Sequence, residues 1–427
     1  MSVASLLFLI FAILLFLNVP IALSLGISSI IAMLAAETPM IMLPINIYSN
    51  IGKFTLLAIP FFVLAGNVME KAGISEKLIN LANKAVGHKK AGLAIVCVIT
   101  SCFFAAISGS GPATVAALGV IIIPAMIKAG YNAGMASALM ATAGSIGIII
   151  PPSIAYVVYG AIAGVSIGKT FVAGIIPGIL MGIALIVACI ILVRKQDLVQ
   201  QEKATMREVW ISFKEAVWGL LMPVIILGGI YGGFFTPTEA AAVSAVYGII
   251  VGVVIYKKVN MKNLYEILVE SAVQSAVVMI IVACASLFAW IVTTQGVAAM
   301  VSNFLLQISN SQFVFLLIIN IVLMIAGCFI DAVSALYIFV PIMLPVAFQL
   351  GYDPIALGII MTMNLAIGQV TPPVGVNLYV ACGISKISLK EISRKVVPFV
   401  IASIIALMLV TYIPQLSLWL PNVIKMK

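Results

Sequence analysis

ISGSGPATVAALGVIIIPAMIKAGYNAGMASALMATAGSIGIIIPPS, residues 107–153, contains two apolar halves that each break where a membrane helix should run on. Ser108-Gly109-Ser110-Gly111-Pro112 interrupts the first half, and Ala143-Gly144-Ser145-Ile146-Gly147 with Pro151-Pro152 interrupts the second. Glycine and proline are the strongest local breakers of a periodic segment. The arrangement returns 221 positions later, between Phe329 and Val374: Pro124 recurs as Pro345, Gly130-Tyr131 as Gly351-Tyr352, Gly147 as Gly368 and Pro151-Pro152 as Pro372-Pro373. The chain therefore reads as two copies of one unit, each with a broken hairpin and a broken helix.

The composition says what surrounds these units. Of 427 residues, 64% are hydrophobic and 8% are charged, where a soluble domain carries roughly a quarter charged residues. Apolar runs recur along the whole length, so the fold class is an all-α polytopic membrane protein. The net charge of +9 does not point to nucleic acid, because the basic residues lie between apolar runs, as orientation signals do. The six cysteines (97, 102, 189, 284, 328 and 382) form no CxxC and sit in apolar runs. They read as buried free thiols, and the single His88 cannot supply a multi-histidine cluster. No cofactor and no transition metal is expected. The opening MSVASLLFLIFAILLFLNVP lacks a basic leader and a small-x-small cleavage site, so it reads as a retained first span.

The layout is a first repeat at 1–193, a cytoplasmic linker with an amphipathic helix at 194–216, and a second repeat at 217–427. Spans are expected at 3–17, 20–36 and 55–69, with a surface stretch at 37–50 and an amphipathic surface helix within 70–90. The first hairpin occupies 91–128. Its arms have about 17 residues each, roughly 25 Å as helix, barely enough to cross. Lys89 and Lys90 precede it and Lys128 ends it, so both ends belong on one side and the hairpin is re-entrant. A broken helix at 133–163 and a span at 171–193 follow. The second half is read as spans 217–234, 237–256 and 271–293, a surface helix 296–308, a hairpin 313–349, a broken helix 354–383, a basic helix 386–395 and a last span 397–420. Thr236-Pro237-Thr238-Glu239 fits a capping box with proline at the first helical position.

With 194–214 in the cytoplasm, 71–90 and its five lysines also fall inside, as do the basic 257–270 and 386–395. Residues 37–50, without lysine or arginine, and 294–312, without any charge, fall outside. This is the positive-inside pattern. It makes the two repeats inverted and places both termini outside, with Lys425 and Lys427 as an exception. Inverted repeats with broken helices mark secondary transporters.

Non-helical backbone at membrane depth survives only where protein buries it or it lines a wet cavity. Each break frees carbonyls, which suit a hard cation, and N–H groups, which suit a carboxylate. A cation is accordingly expected between Ser108-Gly109-Ser110 and Gly144 to Pro152, and a second between Asp331 and the stretch Asn364 to Thr371. Asp331 aligns with Ser110 and is the only acidic residue in the middle of a hairpin; an intramembrane carboxylate needs a partner. The structural alternative is that these are kinks and close-packing glycines. Thr114, Ser153, Tyr156, Asn377 and Tyr379 are candidates for facing a substrate, although polar residues also join helices. An intramembrane hydrolase would use Ser108 or Ser110, but that chemistry needs a base. His88 lies at the wrong end of the hairpin, and no GxxxxGK[ST] occurs for ATP. The chain is not read as an enzyme.

FTLLAIPFFVLAGNVMEKAGI (54–74), SGSGPATVAALGVIIIPAMIKAGY (108–131), GSIGIIIPPSIAYVVYG (144–160), GGIYGGFFTPTEAAAVSAVYG (228–248) and QVTPPVGVNLYV (369–380) resemble the large membrane subunit of tripartite ATP-independent periplasmic (TRAP) transporters. The resemblance covers essentially the whole chain. It implies a Na⁺-driven importer of the bacterial inner membrane with an elevator mechanism, in which a transport domain of hairpins and broken helices moves against a scaffold. It implies two protein partners: a small membrane subunit, expected as a separate chain, and a periplasmic binding protein that delivers a small organic acid of the C4-dicarboxylate or sialic-acid type. Carried over by position, it puts one ion at Ser108, Ser110, Gly147, Ile150 and Pro152, and another at Asp331, Gly368 and Thr371; Gly109, Gly144 and Asn364 stand beside them. The runner-up is an elevator-type symporter that needs no binding protein.

Overall fold

Helices begin where a side chain can satisfy the free N–H groups of a first turn, and end where glycine or proline releases the backbone. The computed structural model describes residues 2–194, 196, 198–308 and 311–424, and no strand occurs among them. The first half comprises α1 (Val3–Phe16), α2 (Ile21–Ala35), α3 (Met42–Ile51), α4 (Ala58–Lys71), α5 (Ile74–Val86), α6 (Gly92–Ser108), α7 (Gly111–Lys128), α8 (Ala133–Ser145), α9 (Ile154–Ala163) and α10 (Ile167–Val193). The second comprises α11 (Met206–Tyr231), α12 (Pro237–Ile250), α13 (Met261–Thr294), α14 (Val297–Ile308), α15 (Gln312–Gly327), α16 (Ala332–Gln349), α17 (Pro354–Gly368), α18 (Val376–Ser385), α19 (Leu389–Tyr412) and α20 (Gln415–Val423). Among the described residues, eight helical segments are long and apolar enough to cross a membrane. Lys425 and Lys427 lie outside the described residues.

Four boundaries differ from the sequence reading, each for a local reason. The stretch expected on the surface at 37–50 contains α3. Its Pro44 falls in the first turn, where a missing N–H costs nothing. The linker helix and the span at 217–234 are one helix, α11, opened by a second capping box: Thr205 accepts from the Glu208 amide while the Glu208 carboxylate accepts from the Thr205 amide. The span expected at 271–293 starts ten residues earlier, where the Asn260 side chain caps α13. The basic helix at 386–395 runs straight into the last span as α19, past Pro398, and the chain breaks at Ile413-Pro414 before α20.

The expected capping box at α12 is present: the Glu239 carboxylate accepts from the Thr236 amide at 2.8 Å, and Thr236 Oγ1 accepts from the Glu239 amide at 3.3 Å. Thr236→Ala should lower stability by about 1 kcal/mol, read from unfolding in detergent. An unchanged midpoint would show that the cap contributes nothing there.

Packing interleaves the two halves. Hairpin arm α7 lies on α8 and also on α18 of the second half, and α18 itself lies on α8. Hairpin arm α15 packs on α17, and α16 packs on both α9 and α13. Elsewhere α4 packs on α12, and α2 on α13. The amphipathic α5 is tied to α11 by Lys77–Glu215 and Lys84–Glu208. Such exposed pairs are worth little each and fix position more than stability. The effect is to bring the first hairpin tip, its own broken helix and the second broken helix to one buried place.

Candidate functional site

The first tip closes on the first break. Gly109, at φ +62°, turns the chain between α6 and α7, and a Cβ there would lie 2.8 Å from the Pro152 carbonyl oxygen. A Cβ on Gly147 would lie 2.7 Å from the Ser110 carbonyl oxygen and 2.8 Å from Thr114 Oγ1. Glycine is required at both positions because backbone meets backbone. Thr114 Oγ1 donates to the Ser110 carbonyl at 2.8 Å and shares a 2.9 Å bond with Ser108 Oγ. Two hydroxyls and the Ser110 carbonyl thus stand together beside Gly147, with the Pro152 carbonyl at Gly109. Ser153 Oγ donates to the Ile148 carbonyl at 2.7 Å and holds the break open. The Pro151-Pro152 and Pro372-Pro373 bonds are both cis.

The second unit is arranged differently. Asp331 caps α16: Oδ1 accepts from the Val333 and Ser334 amides at 2.9 and 3.0 Å, and Oδ2 accepts from Ser334 Oγ at 2.5 Å. These bonds all stay in the first turn of its own helix. Hairpin arm α15 and the first half of the broken helix, α17, meet backbone to backbone, since a Cβ on Gly368 would lie 2.5 Å from the carbonyl carbon of Gly327. Asn364 donates to Asn320 Oδ1 at 2.7 Å, and Asn320 donates to Thr411 Oγ1 at 3.2 Å, a buried relay across α17, α15 and α19. Thr371 Oγ1 donates to the Ile367 carbonyl at 2.7 Å.

The two units meet at Gly111. A Cβ there would lie 2.4 Å from Gln369 Oε1 and 3.2 Å from Asn377 Oδ1. Asn377 Nδ2 donates across to the Ala141 carbonyl at 3.1 Å. Both amide oxygens, Gln369 Oε1 and Asn377 Oδ1, are buried without a hydrogen-bond partner, as is Asn364 Oδ1. An unsatisfied buried acceptor costs about 1–3 kcal/mol, so these oxygens stand ready for a cation or for a donor on a ligand. Among the described residues no group of three or more His, Cys, Asp or Glu is placed to hold a metal. The donors at the breaks are carbonyls, hydroxyls and amides.

The sequence candidates are therefore sorted by the fold. Ser108, Gly109, Ser110, Thr114, Gly147 and Pro152 converge, and Asn377 joins them from the second half. Gly144 packs under Val115, and Ile150 turns its side chain onto Gly178 of α10. Tyr156 is fully buried against Phe171 and Gly174 of α10 rather than in a cleft between hairpins. Tyr379 is half exposed on α18. Gln369 lies within the stretch Asn364 to Thr371 expected at the second cation, without being singled out there, and the fold brings it beside Gly111 of the first unit instead.

Comparison with known proteins follows the same lines. The sequence matches the family described as "Tripartite ATP-independent periplasmic transporter, DctM component" over residues 8–416. It is 43% identical over 400 residues to the C4-dicarboxylate TRAP transporter large permease protein DctM of Pseudomonas aeruginosa, covering 93% of this chain and 94% of that one. It is 39% identical over 373 residues to the sialic acid TRAP transporter large permease protein SiaM of Vibrio cholerae, covering 87% of each. Among solved structures, the YdaH transporter of Alcanivorax borkumensis superposes with a TM-score of 0.64 at 15% identity, over 89% of this chain and 87% of that one, a likeness of fold. These relatives are transport proteins, and the protein is a multi-span transporter component, not an enzyme. This chain belongs to the DctM component family of tripartite ATP-independent periplasmic transporters.

Proposed function

We propose that this chain is the permease that carries a small organic carboxylate into a bacterial cell, driven by Na⁺, by an elevator movement of the hairpins and broken helices. The observation that carries the reading is the first tip: Gly109 and Gly147 let Ser108, Ser110, Thr114 and the Pro152 carbonyl close on one another. That is an all-oxygen neighbourhood suited to a hard cation. The N-termini of α7, α9, α16 and α18, all at breaks, supply N–H groups and positive dipole ends for a carboxylate. A second cation is assigned to Asp331, Gly368 and Thr371. Relatives named for C4-dicarboxylates and for sialic acid support a carboxylate as the substrate class, although another is named for the sulfonate isethionate. A tripartite transporter has two further components; we take these to be a small membrane subunit and a periplasmic binding protein. The repeats are taken as inverted, with 71–90 and 194–214 cytoplasmic and both termini in the periplasm.

Uptake of labelled succinate or N-acetylneuraminate into proteoliposomes tests this. The vesicles would hold the permease and its small subunit, with a cognate binding protein outside. Uptake is expected only with both an inward Na⁺ gradient and the binding protein. Uptake driven by an H⁺ gradient alone would overturn the coupling, and uptake without a binding protein would favour an autonomous symporter.

A further inference from the structure

Away from the breaks lies a cleft of ≈ 370 Å³, in the size range of small-ligand sites. One wall is α3 with Asn46 and Asn50, and the end of α13 with Trp290 and Thr293. The other is α16 with Tyr337, and the end of α9. Lys53 sits at its edge and is the only charged residue among the described residues lining it. The Lys53 ammonium donates to the Ala161 carbonyl at 3.3 Å. An ammonium has three N–H donors, so two remain. Tyr337 is 2% exposed and its hydroxyl has no hydrogen-bond partner, a costly arrangement unless something else supplies one.

The cleft also has a side. Trp290 stands about 40 Å along α13 from Lys262, at 1.5 Å per residue. It is thus at the far end of the helix from the basic cluster Lys257, Lys258 and Lys262. In the orientation proposed above, that is the periplasmic end.

We infer that this cleft is a second anion site, in which Lys53 and Tyr337 take the carboxylate of an incoming substrate at the outer face before it reaches the hairpin tips. A lone cation and an unpartnered hydroxyl on one lining, with no carboxylate among the described lining residues, select a small anion over a neutral or cationic ligand. The role as a vestibule rests on the reading of the chain as a carboxylate importer; binding itself does not.

Trp290 reports occupancy directly. The full chain in nanodiscs would be titrated with succinate at low ionic strength, following tryptophan emission, with Trp290→Phe to isolate the signal and succinamide as the neutral control. A saturable change is expected in the wild type and in Lys53→Arg, with affinity about tenfold or more weaker in Lys53→Met. Tyr337→Phe should also weaken binding while leaving the empty protein as stable or more so, since it deletes an unpartnered hydroxyl. A Trp290 signal that is absent, equal for succinamide, or unchanged in Lys53→Met overturns the site. Uptake by the same variants, reconstituted with the small subunit in sealed vesicles and supplied with the cognate binding protein outside, separates the two readings. Wild-type vesicles that bind succinate in a Lys53-dependent way yet import no carboxylate would support the anion site and sink the import reading. Import with Lys53-independent kinetics and no Lys53-dependent signal would do the reverse.

Discussion

Gly147→Ala should abolish Na⁺-driven uptake while the protein still inserts and folds. The added Cβ would fall 2.7 Å from the Ser110 carbonyl oxygen, 2.8 Å from Thr114 Oγ1 and 3.0 Å from the Ser110 carbonyl carbon. Two of these atoms are backbone at a tight turn, so the tip cannot step aside as the end of a flexible side chain could. Relief would come by pushing hairpin and broken helix apart, which separates the oxygens the cation needs. A shift of about 1 Å in a positioned group already costs roughly a hundredfold. The proper control is Gly228→Ala: that helical glycine has nothing within 4 Å of its would-be Cβ, so its substitution should be neutral or slightly stabilising. Wild-type uptake and wild-type Na⁺ activation in Gly147→Ala would show that the convergence at the first tip is packing and not a binding site.

Asp331 offers a cleaner separation of structure from function, because one substitution preserves its observed job. Its carboxylate caps α16 through the Val333 and Ser334 amides. Asparagine caps a helix about as well as aspartate, so Asp331→Asn should keep stability near the wild type while removing the charge. If the carboxylate also holds the second cation, uptake should fall by about ten- to a hundredfold, the equivalent of losing a charged contact of 1.5–3 kcal/mol. Asp331→Ala should lose the cap as well, at about 1 kcal/mol. Equal uptake by Asp331→Asn and the wild type at limiting Na⁺ would leave Asp331 as a helix cap alone.

How much was legible beforehand depended on whether a feature is local. The breaks at 108–112, 144–152 and 369–375 were readable because glycine, proline and serine act on the backbone where they stand, and the break at 330–331 because the 221-residue repeat aligns Asp331 with Ser110. The cap at Thr236-Glu239 was readable for the same reason. The equivalent pattern at Thr205-Glu208 sits in a polar stretch with no apolar run directly after it, so hydropathy alone divides α11 in two although one cap opens the whole helix. The start of α13 was hidden because residues 261–270 are charged and fail a hydropathy test although Asn260 caps them. Contacts between the halves were out of reach. Nothing near Gln369 announces that it ends beside Gly111, and nothing near Tyr156 announces that it turns to α10. Lys53 sits one residue before a stretch read for its apolar character, and its meeting with Ala161, over a hundred residues away, is purely tertiary.

The 34 residues of α13 also set a ruler against the lipid. At 1.5 Å per residue the helix is about 51 Å long, against a hydrocarbon layer of roughly 30 Å. Tilted by 40°, the limit of the usual range, it would still stand about 39 Å tall. Part of it must therefore rise through the headgroups, and its first turns, with Lys262, Glu266 and Glu270, are the part fit to do so. The membrane surface then falls near the Lys71–Glu270 ion pair and the Asn67–Ser271 bond that tie α13 to α4. A thicker bilayer would have to swallow those charges or thin around them. The protein's fit to its membrane is thus fixed at one level, by a rod that has no joint at which to adjust.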